Sequence, residues 1–416
     1  MKHVIIGNGP AGVVAAETLR KCGPDAVITL IGDEPEPPYS RMALPYLMMG
    51  NIGEPGTYLR KSGDHYAGLR IDLVQDRVTG VDTAARAVAL ASGGSLAYDR
   101  LLIATGSHPV KPPIPGMDLP GVHACWTMAD ARSIIARAAP GARVVQVGAG
   151  FIGCIIMEAL VSRGVRLEVV EMGDRMVPRM MTPVAGTMIR TWCESKGVGV
   201  HVNARVATIR RAAGGDALVA TLASGAALEA DLVIVAAGVR PNVAFLQGGA
   251  VACATGILVD ATMQTSVPGV YAAGDVAEVL DFSTGGRSLN AIQPNAVEQA
   301  RIAAFNMAGR HVESRGYLAL NVLDTLGLIS SSFGQWGGVP GGETAELIDE
   351  GAHRYLCLQF KGDVLVGATA IGLTEHVGVL RGLIEGRVKL GPWKDRLLQE
   401  PLLVMDAYLA RAQAAA

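Results

Sequence analysis

The chain has 416 residues, half of them hydrophobic, with 36 lysines and arginines against 38 aspartates and glutamates. That length predicts two or three domains with ample core, and the balanced charge offers neither a basic face for nucleic acid nor an acidic tail. The 52 glycines cluster in short motifs after apolar runs rather than repeating periodically, which excludes a collagen-like or low-complexity chain.

Reading from the N-terminus, Lys2 to Ile6 ends in an uninterrupted apolar run and predicts a buried parallel strand. With that strand starting at about His3, no secretory leader is expected. Gly7-Asn8-Gly9-Pro10-Ala11-Gly12 follows, then a helical pattern through Arg20 and a second strand from Ala26 to Ile31 that ends at Gly32-Asp33-Glu34. Residues 35 to 56 are rich in Pro, Tyr and Met without a clear period, which predicts a loop and a short helix over a site. Further strands are expected near Asp72 to Val74, Ala87 to Leu90 and Leu101 to Ala104.

Five prolines in the thirteen residues from His108 to Pro120 read as a linker. The pattern then restarts. Arg143 to Val147 is a strand, Gly148-Ala149-Gly150-Phe151-Ile152-Gly153 a glycine turn, Cys154 to Arg163 a helix, and Arg166 to Val170 a strand ending at Glu171. Strands from Asp231 to Ala237 and Gly269 to Gly274 follow, then a helix from Ala291 to Met307. From about Tyr317 a separate α+β pattern begins. It has strands near Tyr355 to Phe360 and Val364 to Thr369, and helices near Val377 to Glu385 and Pro401 to Gln413. No apolar run is long enough to span a bilayer.

Each G-x-G-x-x-G follows an apolar strand, opens a helix and has an acid at the end of the next strand, the context that separates a dinucleotide loop from an ordinary turn. The first glycine permits the turn and the second lets backbone approach a pyrophosphate. The third lets helix and strand pack closely, with the helix N–H groups facing the anion. The acid accepts hydrogen bonds from ribose hydroxyls. In the first copy it is Asp33, with Glu34 as the alternative; in the second it is Glu171. Arg175 is expected to partner adenine or Glu171 rather than clamp a 2′-phosphate, because phosphate-clamping sites usually lack the acid, so NADH should be preferred over NADPH. Among the six cysteines, Cys22, Cys125, Cys154, Cys193, Cys253 and Cys357, there is no C-x-x-C and no ligand-like spacing. Reduced thiols in a cytoplasmic protein are expected, and no metal site.

Tyr271-Ala272-Ala273-Gly274-Asp275 resembles the motif that holds the FAD ribitol in the pyridine nucleotide–disulfide oxidoreductase superfamily. Ala104-Thr105-Gly106 and Ala236-Ala237-Gly238 resemble its two crossover motifs. Pro294-Asn295-Ala296-Val297-Glu298-Gln299-Ala300 resembles the ferredoxin and rubredoxin reductase branch, where this helix points its N-terminus at the flavin pyrimidine and stabilises negative charge there. Pro38-Tyr39-Ser40-Arg41 resembles the segment covering the FAD diphosphate, implying that Arg41 neutralises phosphate; a solvent-exposed arginine is the alternative. The C-terminal region looks closer to NADH-nitrite reductases and to NADH oxidoreductase subunits of 2-oxoacid complexes such as phenylglyoxylate dehydrogenase.

The resemblance covers roughly residues 2 to 310. It implies an α/β fold of two Rossmann-like three-layer (ββα) dinucleotide-binding domains plus a C-terminal α+β domain. The FAD domain would be 1–112 and 241–315, the NAD domain 113–240, and the C-terminal interface domain 316–416. FAD would be held by Gly7, Gly9, Pro10, Ala11, Gly12, Asp33, Glu34, Arg41, Val78, Ala104, Thr105, Gly106, Gly274, Asp275, Pro294, Asn295 and Ala296. NAD(H) would be held by Gly148, Gly150, Phe151, Ile152, Gly153, Glu171, Ala237 and Gly238. No side chain is expected to do the chemistry, since the flavin N5 carries the hydride.

Three departures narrow the activity. No cysteine lies between Pro35 and Lys61, so the thiolate of the disulfide, coenzyme A disulfide and peroxide-reducing relatives is missing. Ile155 stands where ferredoxin reductases often have glutamate, with Glu158 a turn later, and Trp126 stands near a family FAD-binding arginine. With these departures the resemblance implies an FAD-containing NADH:acceptor oxidoreductase exchanging electrons with an iron–sulfur protein or subunit, in an oligomer or hetero-complex, as the NAD(H)-reactive subunit of a larger complex such as a 2-oxoacid (phenylglyoxylate) dehydrogenase. A stand-alone ferredoxin, rubredoxin or nitrite reductase-type enzyme and a redox-sensing flavoprotein are the alternatives. Arg381, Arg387, Lys389, Lys394 and Arg396 either dock an acidic partner or form a solvated charged surface.

Overall fold

A computed structural model describes residues 1–411; Gln413, the expected end of the last helix, lies outside them. The chain divides into two compact units. One comprises Met1–Leu47, Ile52–His108 and Val239–Tyr317; the other comprises Met48–Asn51, Pro109–Gly238 and the chain from Leu318 on.

In the first unit five parallel strands stand in the order Val270–Ala272, Arg100–Ile103, Lys2–Ile6, Val27–Gly32, Ile71–Gln75. The central strand ends in the apolar run Val4-Ile5-Ile6 because both its faces are covered there: all three are buried. The helices Pro10–Cys22 and Gln293–Met307 pack on one another and share this core. The antiparallel strands Val78–Asp82, Ala87–Leu90 and Ser95–Ala97 contribute Val78 and Val88 to it.

The second unit repeats the plan. Its parallel sheet runs Gly199–His201, Arg166–Val170, Arg143–Val147, Leu232–Val235, Val122–His123, with the helix Phe151–Ser162 after the central strand. An antiparallel sheet of Val206–Arg211, Leu218–Leu222 and Ala227–Ala230 packs through Ile209, Leu218 and Ala220 into the same core as Val145 and Val233. Both the expected duplication and the α/β class are observed.

The C-terminal part of this unit is a five-stranded antiparallel sheet in the order Leu320–Thr325, Leu328–Gly334, Val364–Ile371, Arg354–Lys361, Glu343–Asp349. The expected strands from Tyr355 and Val364 and the helix Val377–Glu385 are present. The fully buried Tyr355 accepts from Thr182 Oγ1 at 3.0 Å and donates to Glu346 at 2.6 Å. The sheet is thereby tied to the start of the helix Pro183–Ser195. No helix among the described residues is long and apolar enough to cross a membrane.

Candidate dinucleotide-binding sites

The two glycine loops have nearly the same backbone. Gly9 caps its helix at φ −74°, ψ −172°, and Gly150 at φ −77°, ψ −171°. Packing dictates the outer glycines. A Cβ on Gly7 would strike the Ala104 carbonyl, and one on Gly12 the Gly7 carbonyl; Gly148 meets Ala236, and Gly153 meets Gly148, in the same way. The middle glycines differ. A Cβ on Gly9 or Gly150 would meet nothing within 4 Å, and their dihedrals suit any residue. Nothing within the chain demands glycine there, so these positions fit backbone left bare for a ligand.

The helix N-termini point the same way. Thr127 and Thr182 cap the helices Met128–Arg137 and Pro183–Ser195 with their side chains, whereas Gly9, Gly150 and Ile292 offer no side-chain cap. A missing cap costs about 1 kcal/mol unless another acceptor, such as a phosphate, takes the free N–H groups.

In the first unit the helices from Pro10 and Gln293 converge on Gly274, whose Cβ would lie 3.4 Å from that of Ala11 and 3.6 Å from that of Ala296. Gly274 has φ +82°, a conformation side chains rarely adopt. Its N–H donates at 2.8 Å to Oε1 of the fully buried Gln299, a residue that no candidate set above includes. That bond fixes the amide's orientation and leaves Nε2 buried and unpartnered, as is Nδ2 of Asn295 one turn earlier. Beside Gly274, the Asp275 carboxylate accepts from Ser107 Oγ at 3.0 Å. Burial raises its pKa, against the pull of that hydroxyl and of the Arg41 charge. A largely buried carboxylate with unpartnered buried amide donors nearby suits a ligand bearing hydroxyls and carbonyls, as the ribitol and pyrimidine of FAD do.

Other predicted residues lie as follows. Thr105 Oγ1 donates to the Asn242 carbonyl at 3.0 Å and Asn242 Nδ2 returns a bond to the Thr105 carbonyl at 2.8 Å, which holds Ala104-Thr105-Gly106 against the returning chain. Val110 N–H donates to the Gly238 carbonyl at 2.8 Å, and Ala237 precedes it in the second crossover. Val78 opens the first antiparallel strand and is buried. Pro294, Asn295 and Ala296 form the first turn of their helix, and Phe151 and Ile152 of theirs.

The acids fall into different settings. Asp33 pairs with Arg77 at 3.1 Å on an open rim, their side chains 49% and 72% exposed. Glu34 is engaged on both oxygens, by the Tyr39 hydroxyl at 2.6 Å and Arg41 Nη2 at 2.7 Å. Arg41 is therefore held by a carboxylate rather than left in solvent. Glu171 accepts from the Ala149 N–H on one oxygen and the Gly173 N–H on the other, each at 2.7 Å. Arg175 does not partner Glu171, contrary to one reading of the sequence. Its donors go to Asp174 at 2.7 Å and to the carbonyls of Met181 at 3.1 Å and Pro178 at 3.2 Å.

Several of the C-terminal basic residues find partners nearby. Arg381 pairs with Glu385, Lys389 with Asp363 and Lys394 with Glu343, while Arg396 lies over the Trp393 ring. Three of the five thus have an acidic partner close by. Glu158 has its pKa raised by burial and by Asp324. Among the described residues no group of three or more His, Cys, Asp or Glu could hold a metal, and all six cysteines are free.

Comparison with known proteins adds the following. The family model for pyridine nucleotide-disulphide oxidoreductases matches residues 1–304. The subunit epsilon of NADH-dependent phenylglyoxylate dehydrogenase from Aromatoleum evansii is 34% identical over 407 residues, 97% of this chain and 96% of its own. The ferredoxin–NAD(+) reductase component of the biphenyl dioxygenase system from Paraburkholderia xenovorans is 37% identical over 310 residues, 74% of this chain and 75% of its own. In fold, the chain matches the covalent putidaredoxin reductase–putidaredoxin complex with a TM-score of 0.90 over 98% of both chains, at 24% identity.

Proposed function

The chain belongs to the pyridine nucleotide-disulphide oxidoreductase family, and we propose that it is the NAD(H)-reactive subunit of a 2-oxoacid dehydrogenase-type complex, exchanging electrons with an iron–sulfur subunit. It is an oxidoreductase that uses FAD and NAD(H) and has no redox-active disulfide. FAD supplies the bridge between two-electron exchange with nicotinamide and one-electron exchange with a cluster. The residues of the chain bind and orient. Gly7 to Gly12, Gly274, Asp275 and the helix from Gln293 are assigned to FAD, with Glu34 and Arg41 bordering that site. Gly148 to Gly153, Glu171 and Gly238 are assigned to NAD(H). In this reading 1–112 and 241–315 form the FAD domain, 113–240 the NAD domain and 316–416 the interface domain, in a cytoplasmic hetero-complex.

The observation that carries the proposal is the end-to-end match to the phenylglyoxylate dehydrogenase subunit, which takes in the C-terminal sheet. The higher identity of the dioxygenase reductase component over about three quarters of the chain favours a second reading, a stand-alone ferredoxin reductase. Anaerobic affinity purification of the tagged chain from its own cells decides between them. Stoichiometric iron–sulfur subunits support the complex. A chain that purifies alone and reduces a small ferredoxin with NADH supports the second reading.

A further inference from the structure

Ala149, at the centre of the second glycine loop, has both its main-chain groups held by Glu171 and the segment that follows it. The Ala149 N–H donates to the Glu171 carboxylate at 2.7 Å, and the Ala149 carbonyl accepts the Val177 N–H at 2.9 Å. Val177, which makes the second bond, has φ +48° while buried, an outlier for a β-branched residue. Such a conformation persists only where its surroundings impose it. The Val177 carbonyl accepts from the Met180 and Met181 N–H groups, and Arg175, two residues earlier, braces the same turn. Its guanidinium ties Asp174, the Pro178 carbonyl and the Met181 carbonyl together. Its stem packs close to Gly186, where a Cβ would lie 2.9 Å from the arginine's Cγ and Cδ.

We propose that Arg175 is a positioning residue for NAD(H). It latches the turn from Asp174 to Met181, holds the Val177 amide on Ala149, and so presets the glycine loop for pyrophosphate. The same latch spends its charge inside the turn, so Arg175 presents no free cation for a 2′-phosphate. This rests on the reading that the loop binds NAD(H).

The test is Arg175→Met in the FAD-loaded protein, because methionine keeps an apolar stem beside Gly186 and removes only the donors. Loss of the latch should raise the KM for NADH and weaken binding of ADP-ribose, measured calorimetrically, by about tenfold, the order expected when a buried hydrogen-bond set is lost. The kcat, the FAD content and the NADH-to-NADPH preference should stay near wild type. Val177→Gly keeps the N–H and removes the strain, so its ADP-ribose affinity should match wild type. Unchanged affinity in Arg175→Met would overturn the latch, and selective loss of NADPH use would show a phosphate clamp instead. A wild-type protein that binds neither NADH nor ADP-ribose would refute the NAD(H) reading itself.

Discussion

The Glu171 carboxylate accepts the Ala149 N–H at 2.7 Å, so the acid at the end of one strand and the glycine turn at the end of its neighbour form a single rigid element. The second oxygen is fixed by Gly173, and each oxygen keeps capacity for a ribose hydroxyl. A 2′-phosphate would remove one donor and set two negative groups together, a penalty of about 2–4 kcal/mol, or roughly thirty- to a thousand-fold. Steady-state kinetics should show that preference for NADH, and Glu171→Ala should shrink it. Equal efficiency with NADPH in the wild type would remove this role from Glu171.

Asp275 gives a signature in pH. Burial raises its pKa in the folded protein, so its contribution to apoprotein stability is fully present below the ordinary carboxylate range. That contribution is lost as pH rises through the raised value. Asp275→Asn should flatten this acid-side dependence in thermal melts of the apoprotein and yield protein largely without FAD. Full FAD occupancy in the variant would rule out the ribitol assignment.

Gly9 and Gly12 separate binding from folding. Gly9→Ala places its Cβ in open space, so the apoprotein melt should move little, within about 0.5 kcal/mol, while FAD affinity falls at least tenfold. Gly12→Ala drives a Cβ into the Gly7 carbonyl and against Leu30, and should destabilise the unit by about 1–3 kcal/mol. Equal effects of the two on stability would contradict the assignment of Gly9 to ligand approach.

The thiols should be bystanders. Burial pushes Cys125 and Cys193 up to about 12 and Cys357 up to about 11, so none is a thiolate at neutral pH. Alkylation of accessible cysteines should leave NADH-dependent dye reduction nearly intact. Loss of most activity, prevented by NADH, would reveal a catalytic cysteine.

What could be read in advance was whatever rests on local backbone chemistry. The glycine loops, the strands before them and Glu171 each follow from a few adjacent residues. The partners that complete the sites could not be read, because they lie far apart in the chain: Ser107 with Asp275, Asn242 with Thr105, Gln299 with Gly274. The strands Leu320–Thr325 and Leu328–Gly334 were missed for a related reason. Ser330, Ser331 and Ser332 are buried, and three consecutive hydroxyls break the apolar pattern by which a strand is recognised. Glu171 was an expected partner of Arg175, yet the guanidinium's donors end on Asp174, Pro178 and Met181, a closure that sequence spacing does not reveal.

The central claim is that this chain carries FAD and exchanges electrons with NAD(H). Anaerobic stopped-flow mixing of the purified, FAD-loaded protein with NADH tests it most directly, by following the visible flavin absorbance. The account predicts rapid bleaching, slowed at subsaturating NADH by Arg175→Met and restored to the yellow form by an iron–sulfur acceptor. A protein that binds no flavin, or holds a flavin that NADH leaves oxidised, would contradict it.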